Sequence, residues 1–539
     1  MNATVTATAP RPRGVVVPDR VRRVGPPLLA AIAIVATWHV VAVLFFTRTE
    51  LPLPGGVARQ MWEDRTFYGP HIRQTLYEAA LGYAWGVGIA LVLGALFVLV
   101  PVVERVALRI VVATYCLPLI AAAPILQIVL SADAAKVAVA AQATLLVTLV
   151  GITLGLRSAD RTHLDVVHCL GGGAWRQLVT VRLRAAVPGI FTGLKIGAPS
   201  ALLGAVIGEF LGGTRGLGVA MITAQQSFFV ERTWGLAIVM GTLAALGFAV
   251  LALIGRWLAP WQTQSTLNVG DAPVGGGGSL VRRAASSLGY LVLSAALGLG
   301  LWAGFIRFMD LSPFFAKGPT DVWRFLFDGP TAADDRGELL DALRTTLGNA
   351  ALGYLVGTAG ALVLAMAVVS SATIERIVMP IAIWLRSVPL VAMTPLIALV
   401  FGRGLACALV MAGLVTLFPS LVNLVEGLRA APGAALDLVH GYGAGRTASL
   451  AKVRVPYALP SLFASARVAA PLAILGALLA EWLATGEGIG NYMVTAQGTA
   501  RYTAVWASVA VVTVVSVALY GVAAVVESAV TRRFTGATR

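Results

Sequence analysis

The chain has 539 residues, of which 58% are hydrophobic and 12% charged, and its formal net charge is +15. A soluble domain carries about 25% charged residues, so this composition excludes an ordinary soluble enzyme and fits apolar segments of about 20 residues that cross a bilayer. The positive balance needs no nucleic acid, because basic cytoplasmic loops of a membrane protein supply it; Cys116, Cys169 and Cys407 are far apart and lack disulfide-framework or metal-ligand spacing.

Residues 1–25 are polar and rich in Pro and Arg, and read as a cytoplasmic tail. The apolar run 26–46 is long enough to span and lacks an obvious small-residue cleavage site, so it reads as a retained first helix rather than a signal peptide. Five further spans are expected near 79–100, 105–130, 134–156, 187–211 and 235–259. A polar segment with the run Gly275–Gly278 follows and reads as a cytoplasmic linker, 260–286. The second half repeats the plan near 287–306, 347–369, 375–401, 403–425, 459–481 and 503–527. Residues 531–539 form a second cytoplasmic tail. The two halves, 26–259 and 287–530, make an all-α polytopic protein of about twelve transmembrane helices.

The duplication is explicit. Asp165–Gly218 aligns with Asp437–Gly490 at a constant offset of 272, so that His168 matches His440, Gly171 matches Gly443, Pro188 matches Pro460 and Glu209 matches Glu481. LYEAALGY (76–83) resembles LGNAALGY (347–354), and CLPLIAAAP (116–124) resembles SVPLVAMTP (387–395). The loops 157–186 and 426–458 are basic, as are Arg282, Arg283, Arg532 and Arg533, so all face the cytoplasm by the positive-inside rule. Both halves then share one orientation, a parallel duplication about an axis along the membrane normal.

Four groups of residues stand out. Leu164, Val167 and Leu170 recur at spacing three, with Asp165 and His168 between them, which suits a short amphipathic helix along the membrane surface. Gly171–Gly173 end it, as Gly443 and Gly445 end its copy. Lys195 and Arg467 are matched within the fifth spans; either they snorkel to the inner interface or they contact an anion. Glu209 and Glu481 lie 14 residues later, about 21 Å further out, and either pair with amides or bases of the glycine-rich turn that follows or contact substrate. That turn (Gly216–Gly218, Gly488–Gly490) reads as a re-entrant scoop, with Gln225 and Gln497 as substrate contacts or caps. Pro118 and Pro124, with Pro389 and Pro395, bend the third spans and free carbonyls to line a cavity; Tyr115, Trp384 and Arg386 lie just before them.

The two loops carry a resemblance. Asp165-Val166-Val167, three residues, Gly171, nine residues, then Val181-Arg182-Leu183-Arg184 matches the spacing of the Glu-Ala-Ala loop of bacterial ABC importer permeases. The second copy reads Asp437-Leu438-Val439, Gly443 and Val453-Arg454-Val455-Pro456. The residue types depart: Asp replaces Glu, bulkier residues replace both alanines, and Arg184 replaces the final proline. The stretches LGAVIGEFLGGTRGLG and LGALLAEWLATGEGIG resemble the nitrate/taurine/sulfonate branch of that family, which usually has one permease half per chain.

The resemblance implies a type I ABC importer-like permease in the bacterial inner membrane, with both termini cytoplasmic. Coupling helices around Asp165–His168 and Asp437–His440 would seat in two separate ATPase subunits. ATP and Mg would be bound there, because this sequence has no G-x-x-x-x-G-K-[ST] phosphate loop. The chain itself would carry no cofactor, metal site or catalytic residue, and an extracytoplasmic solute-binding protein would deliver nitrate, a sulfonate, taurine or a pyrimidine precursor. An ion-gradient transporter with six-plus-six repeats is the alternative, with Glu209 and Glu481 as proton relays.

Overall fold

The computed structural model describes residue 32 and residues 35–44, 51–258, 280–387 and 390–534. The expected N-terminal tail, part of the first span, most of the linker and the last residues of the tail lie outside that set. Among the described residues every regular element is helical and none is a strand. The first half comprises α1 (Val35–Leu44), α2 (Pro54–Glu63), α3 (Arg65–Leu99), α4 (Pro101–Cys116), α5 (Leu119–Val129) and α6 (Ala132–Arg157). It continues with α7 (Arg161–Cys169), α8 (Ala174–Gln177), α9 (Leu183–Gly212), α10 (Leu217–Gln226) and α11 (Val230–Leu258). The second half runs α12 (Leu280–Phe308), α13 (Pro319–Trp323), α14 (Ala332–Ser370), α15 (Ala372–Ser387), α16 (Leu390–Phe401) and α17 (Leu405–Arg429). It ends with α18 (Gly433–Gly441), α19 (Arg446–Ser449), α20 (Val455–Ala480), α21 (Gly488–Gly498) and α22 (Tyr502–Phe534).

Nine described helices are long and apolar enough to cross a membrane. The third span of each half is not one of them. The expected span 105–130 breaks after Cys116, where Leu117 and Pro118 are extended and helix restarts at Leu119. The expected span 375–401 divides likewise into α15 and α16, with residues 388–389 outside the described set. Proline lacks the N–H that would continue the ladder, so Pro118 serves as the N-cap of the restarted helix rather than bending a continuous one. Two further expectations are corrected. The intervals left between the expected spans at 47–78 and 307–346 contain α2, α13 and the polar starts of α3 and α14, and residues 280–286 of the expected linker belong to α12.

Close packing comes from small residues, as in other membrane bundles. On α6 and α9, Gly151 and Gly155 face Gly193 and Gly189 so tightly that a Cβ on Gly155 would sit 2.8 Å from the Ala186 carbonyl. Trp302 of α12 stacks on Trp506 of α22 at 5.6 Å, while Ser294 of α12 donates to the Val106 carbonyl of α4 at 3.2 Å. The outer helix of the second half thereby packs on both halves. The broken spans also exchange. Ala121 of α5 belongs to the main core with Ile474 and Leu478 of α20, and Leu396 of α16 belongs to the first half's core with Val206 and Leu217. The halves thus share one interior, with α5, α9, α16 and α20 at the seam.

At the end opposite the basic loops, Asp64 receives two guanidinium hydrogen bonds from Arg232, both 2.7 Å, tying the start of α3 to α11. The Arg232 bonds hold the Asp64 carboxyl below its ordinary value of 3.8. A depressed folded-state pKa stabilises above the unfolded value and loses that stability as pH falls through the folded one. Asp64→Asn is therefore expected to cost about 2 kcal/mol at neutral pH. In thermal scans of the purified chain the difference from the parent should shrink as pH falls below the ordinary carboxylate range.

Candidate functional site

The two basic loops fold alike. Residues 161–169 and 433–441 form one short helix each, and neither α7 nor α18 buries a residue. Asp160 caps α7 by accepting from the Thr162 amide at 2.8 Å, a bond that lowers the Asp160 pKa. Gly171 and Gly443 then take φ +76° and +80°, in the left-handed region that favours glycine. The Gly172 amide reaches back to the Val167 carbonyl at 2.8 Å, and Ala444 to Val439 at 3.1 Å, the six-residue closure that ends a helix with a chain reversal.

The expected membrane-facing stripe is only partly present. Leu164 and Val167 are half-buried, but Leu170 is 79% exposed. The outward face is instead formed by Val166 (53% exposed) with Leu170, and by Leu438 (62%) with Tyr442 (85%). These are matched pairs, four residues apart and so on one helix face. Asp165, His168, Asp437 and His440 are exposed beside them.

Matched charges hold these helices to the bundle. Arg182 donates to the Leu156 carbonyl at 3.2 Å, and Arg454 to the Leu428 carbonyl at 3.1 Å. Each arginine closes a π-helical turn, Leu178–Arg182 or Leu450–Arg454, and satisfies a carbonyl in the last turn of the preceding long helix. Arg157 pairs with Glu104 and Arg429 with Glu375, the latter at 2.6 Å. The loop therefore enters and leaves the bundle at fixed points. In the sequence these arginines read as basic-loop charge; the offset of 272 relates Arg157 to Arg429 and Arg182 to Arg454 but not Glu104 to Glu375, which lie 271 apart.

At the opposite end Glu209 and Glu481 are buried and organise matched turns. Thr75 Oγ1 donates to Glu209 at 2.6 Å and accepts from the Leu217 amide at 2.8 Å, while the Gly218 amide donates to Glu209 at 2.6 Å. In the second half Thr346 Oγ1 donates to Glu481 at 2.7 Å and accepts from the Ile489 amide at 2.9 Å, and the Gly490 amide donates to Glu481 at 3.1 Å. Each carboxyl thus ties α3 or α14 to the turn after the fifth span. The turn expected as a scoop leads into a short packed helix, α10 or α21. The carbonyls of Gln225 and Gln497 accept from the amides of Phe228 and Ala500, which both have φ +57° and end those helices.

The matched bases differ. Arg467 pairs with Glu527 of α22 at 3.2 Å and lies 5.7 Å from the Tyr520 ring centroid. Gly255 stands where the repeat would put that glutamate, and half-buried Lys195 has no carboxylate in ion-pair range among the described residues. Tyr115 lies in the last turn of α4, Pro124 within α5, Arg386 in α15 and Pro395 within α16. The side chains of Trp384, Arg386, Pro124 and Pro395 are outside the described set, as is Pro389.

A family model described as binding-protein-dependent transport system inner membrane component matches residues 86–264 and again 357–534. The chain belongs to that family. The permease is 32% identical over 201 residues to a probable ABC transporter permease protein of Haemophilus influenzae, covering 36% of this chain and 82% of the relative. It is 29% identical to a formylaminopyrimidine transport permease of Halalkalibacterium halodurans (28% of this chain, 60% of that one). It is 28% identical to an aliphatic sulfonates transport permease of Bacillus subtilis (33% and 65%). No solved structure matches it. Two family matches in one chain make this a fused pair of permease halves, an all-α membrane transport component.

Proposed function

We propose that the permease supplies both membrane halves of an ATP-driven importer. Two separate ATPase subunits dock on α7 and α18, through Asp165–His168 with Gly171 and Asp437–His440 with Gly443; ATP and Mg are bound on those subunits. The observation that carries this reading is the matched pair of exposed apolar knobs, Val166/Leu170 and Leu438/Tyr442, on helices tied to the bundle by Arg182 and Arg454. A helix that buries nothing of its own and presents an i, i+4 apolar pair suits a groove on a partner. The basic end then faces the cytoplasm with both termini, in keeping with its arginines. A solute-binding protein meets the opposite end, where Glu209 and Glu481 hold the turns.

The substrate proposed is a small anion or a nitrogen or sulfur compound: nitrate, an alkanesulfonate, taurine or a pyrimidine precursor. The substrates in the names of two relatives, a formylaminopyrimidine and aliphatic sulfonates, support that class. Lys195, free of the ion pair that occupies Arg467, is the cation proposed to meet a passing anion.

The test is depletion of the medium by a deletion strain against its parent, read by mass spectrometry over these compounds. One of them is expected to persist in the medium only when the gene is absent, and its uptake to stop when ATP is depleted with the ion gradients clamped. Uptake that survives ATP depletion would sink the ATPase reading. An unchanged medium from a culture shown to express the protein would sink the substrate class.

A further inference from the structure

A groove of about 650 Å³ runs along α3 and α6 of the first half. On α3, Tyr77, Leu81, Trp85 and Ile89 recur every four residues, line it and are exposed. On α6, Ala134 and Ala138 line the other side. The helices touch at its floor, where a Cβ on Gly86 would sit 2.7 Å from the Ala141 carbonyl. Large side chains opposite small ones leave a channel rather than a ridge. Gln74 and Ile89 mark its two ends on α3, 15 residues and so about 22 Å apart. A bilayer with its headgroups is about 40–45 Å thick, so the groove runs the depth of one leaflet, the one opposite the basic loops.

The end of the groove nearest the surface is polar and carries an excess negative charge. Lys136 Nζ is held by Glu78 at 2.9 Å and by Asp133 at 3.0 Å. Glu78 is buried, and Gln74 Nε2 also donates to it, at 2.7 Å. Lys136 balances that buried carboxylate, which leaves Asp133 over. The Asp133 side chain is exposed, and Lys136 reaches only one of its oxygens. Gln74, its Nε2 committed to Glu78, keeps its amide oxygen as an acceptor. Tyr77 stands beside them, and the face of an aromatic ring attracts a cation. The second half has no such end. Where the repeat would put Gln74, Tyr77, Glu78 and Trp85 stand Thr345, Gly348, Asn349 and Val356, and Leu405 and Ala408 replace Asp133 and Lys136. Packing of the matched spans, α14 on α17, therefore needs none of these groups.

We infer that the groove is a binding site for one phospholipid with a primary-amine headgroup. Its ammonium meets Asp133 and Gln74 beside the Tyr77 ring, and one acyl chain lies along Leu81, Trp85 and Ile89. Exposed Arg73, four residues before Tyr77 and so on the same face of α3, takes the phosphate; it has no ion pair among the described residues. A water-soluble amine would leave the apolar length of the groove unfilled. A phospholipid with an anionic headgroup would set its charge against Asp133, which has no cation to spare. The site is independent of the transport reading, because it needs neither an ATPase nor a transported solute.

Photolabelling of the purified full chain tests this, in nanodiscs of equal phosphatidylethanolamine and phosphatidylglycerol. The probe is a trace of phosphatidylethanolamine with a diazirine in its acyl chain, and labelled peptides are mapped by mass spectrometry. Labelling of 81–89 and 138–145 is expected to exceed that of the matched 352–360 and 410–417 at least about fivefold. A phosphatidylglycerol probe with the same chain is expected to show less than about half that excess. Asp133→Asn should erase the preference for the amine lipid. Trp85→Val with Asp133→Leu, which installs the residues of the second half, should erase the excess itself. Equal labelling of the two halves would mean ordinary boundary lipid and overturns the site. An excess that ignores the headgroup, or a preference that survives Asp133→Asn, overturns the assigned ligand. Should the double variant unfold in a thermal scan, Asp133→Asn decides alone, since it changes one exposed side chain.

Discussion

ATP-driven uptake is expected to fall at least about thirtyfold when Leu438 and Tyr442 are both replaced by aspartate, while the purified chain keeps its thermal midpoint. The second half of that statement follows from exposure. Neither side chain is buried against the bundle, and substitutions at such positions usually change stability by no more than about 0.5 kcal/mol. The first half follows from what an apolar knob does when a partner covers it. Truncating a buried interface aromatic costs about 2 kcal/mol or more, and about 1.4 kcal/mol is a factor of ten. Aspartates add two charges that the partner's groove must desolvate unpaired. Val166→Asp with Leu170→Asp is expected to act in the same direction by less, because Tyr442 offers more area than the leucine at its matched position. The measurement is uptake by proteoliposomes that contain the permease with its ATPases, alongside a thermal scan of the permease alone. Full uptake with either pair replaced would show that α7 and α18 are not where the motors grip.

The parts legible in the sequence were those encoded locally and twice. Gly171 and Gly443 announce a helix end by themselves, because a positive φ at that point suits glycine, and the structure has the turn at those positions. Hydropathy located the nine long apolar helices among the described residues but not their ends. It measures what sits in lipid, so it stopped at residue 79 although α3 starts at Arg65, and at residue 347 although α14 starts at Ala332. Polar side chains hold a helix as well as apolar ones once it leaves the bilayer. The break at Leu117–Pro118 was placed at the right proline but read as a bend, because a proline motif tells that backbone bonding is interrupted without telling whether the chain bends or stops. The threonines that hold Glu209 and Glu481 were hidden for a simpler reason. Thr75 and Thr346 directly precede the matched segments 76–83 and 347–354, but the match of two segments does not tell which distant carboxyl their hydroxyls reach.

Gly488→Ala is expected to be the most damaging single-methyl change at the outer end, with Gly216→Ala beside it. A Cβ on Gly488 would lie 2.2 Å from the Glu481 carboxyl carbon, and one on Gly216 the same distance from that of Glu209. Both glycines also have positive φ, +80° and +131°, which costs an alanine about 1–2 kcal/mol in the left-handed region before any contact is counted. To make room the carboxyl must swing away from the threonine hydroxyl and the glycine amide that hold it. Hydrogen bonds to a charged group contribute about 1.5–3 kcal/mol each, so the turn loses its tie to α14. Uptake is expected to fall about tenfold or more, with a lower thermal midpoint. The decisive comparison is a double-mutant cycle with Glu481→Ala, which removes the carboxyl that the new methyl would strike. If the clash is the cause, Gly488→Ala with Glu481→Ala should be little worse than Glu481→Ala alone, a coupling of more than about 1 kcal/mol. Additive losses would mean that the glycine serves some need other than room for the carboxyl, and the tie as drawn from the geometry would fail.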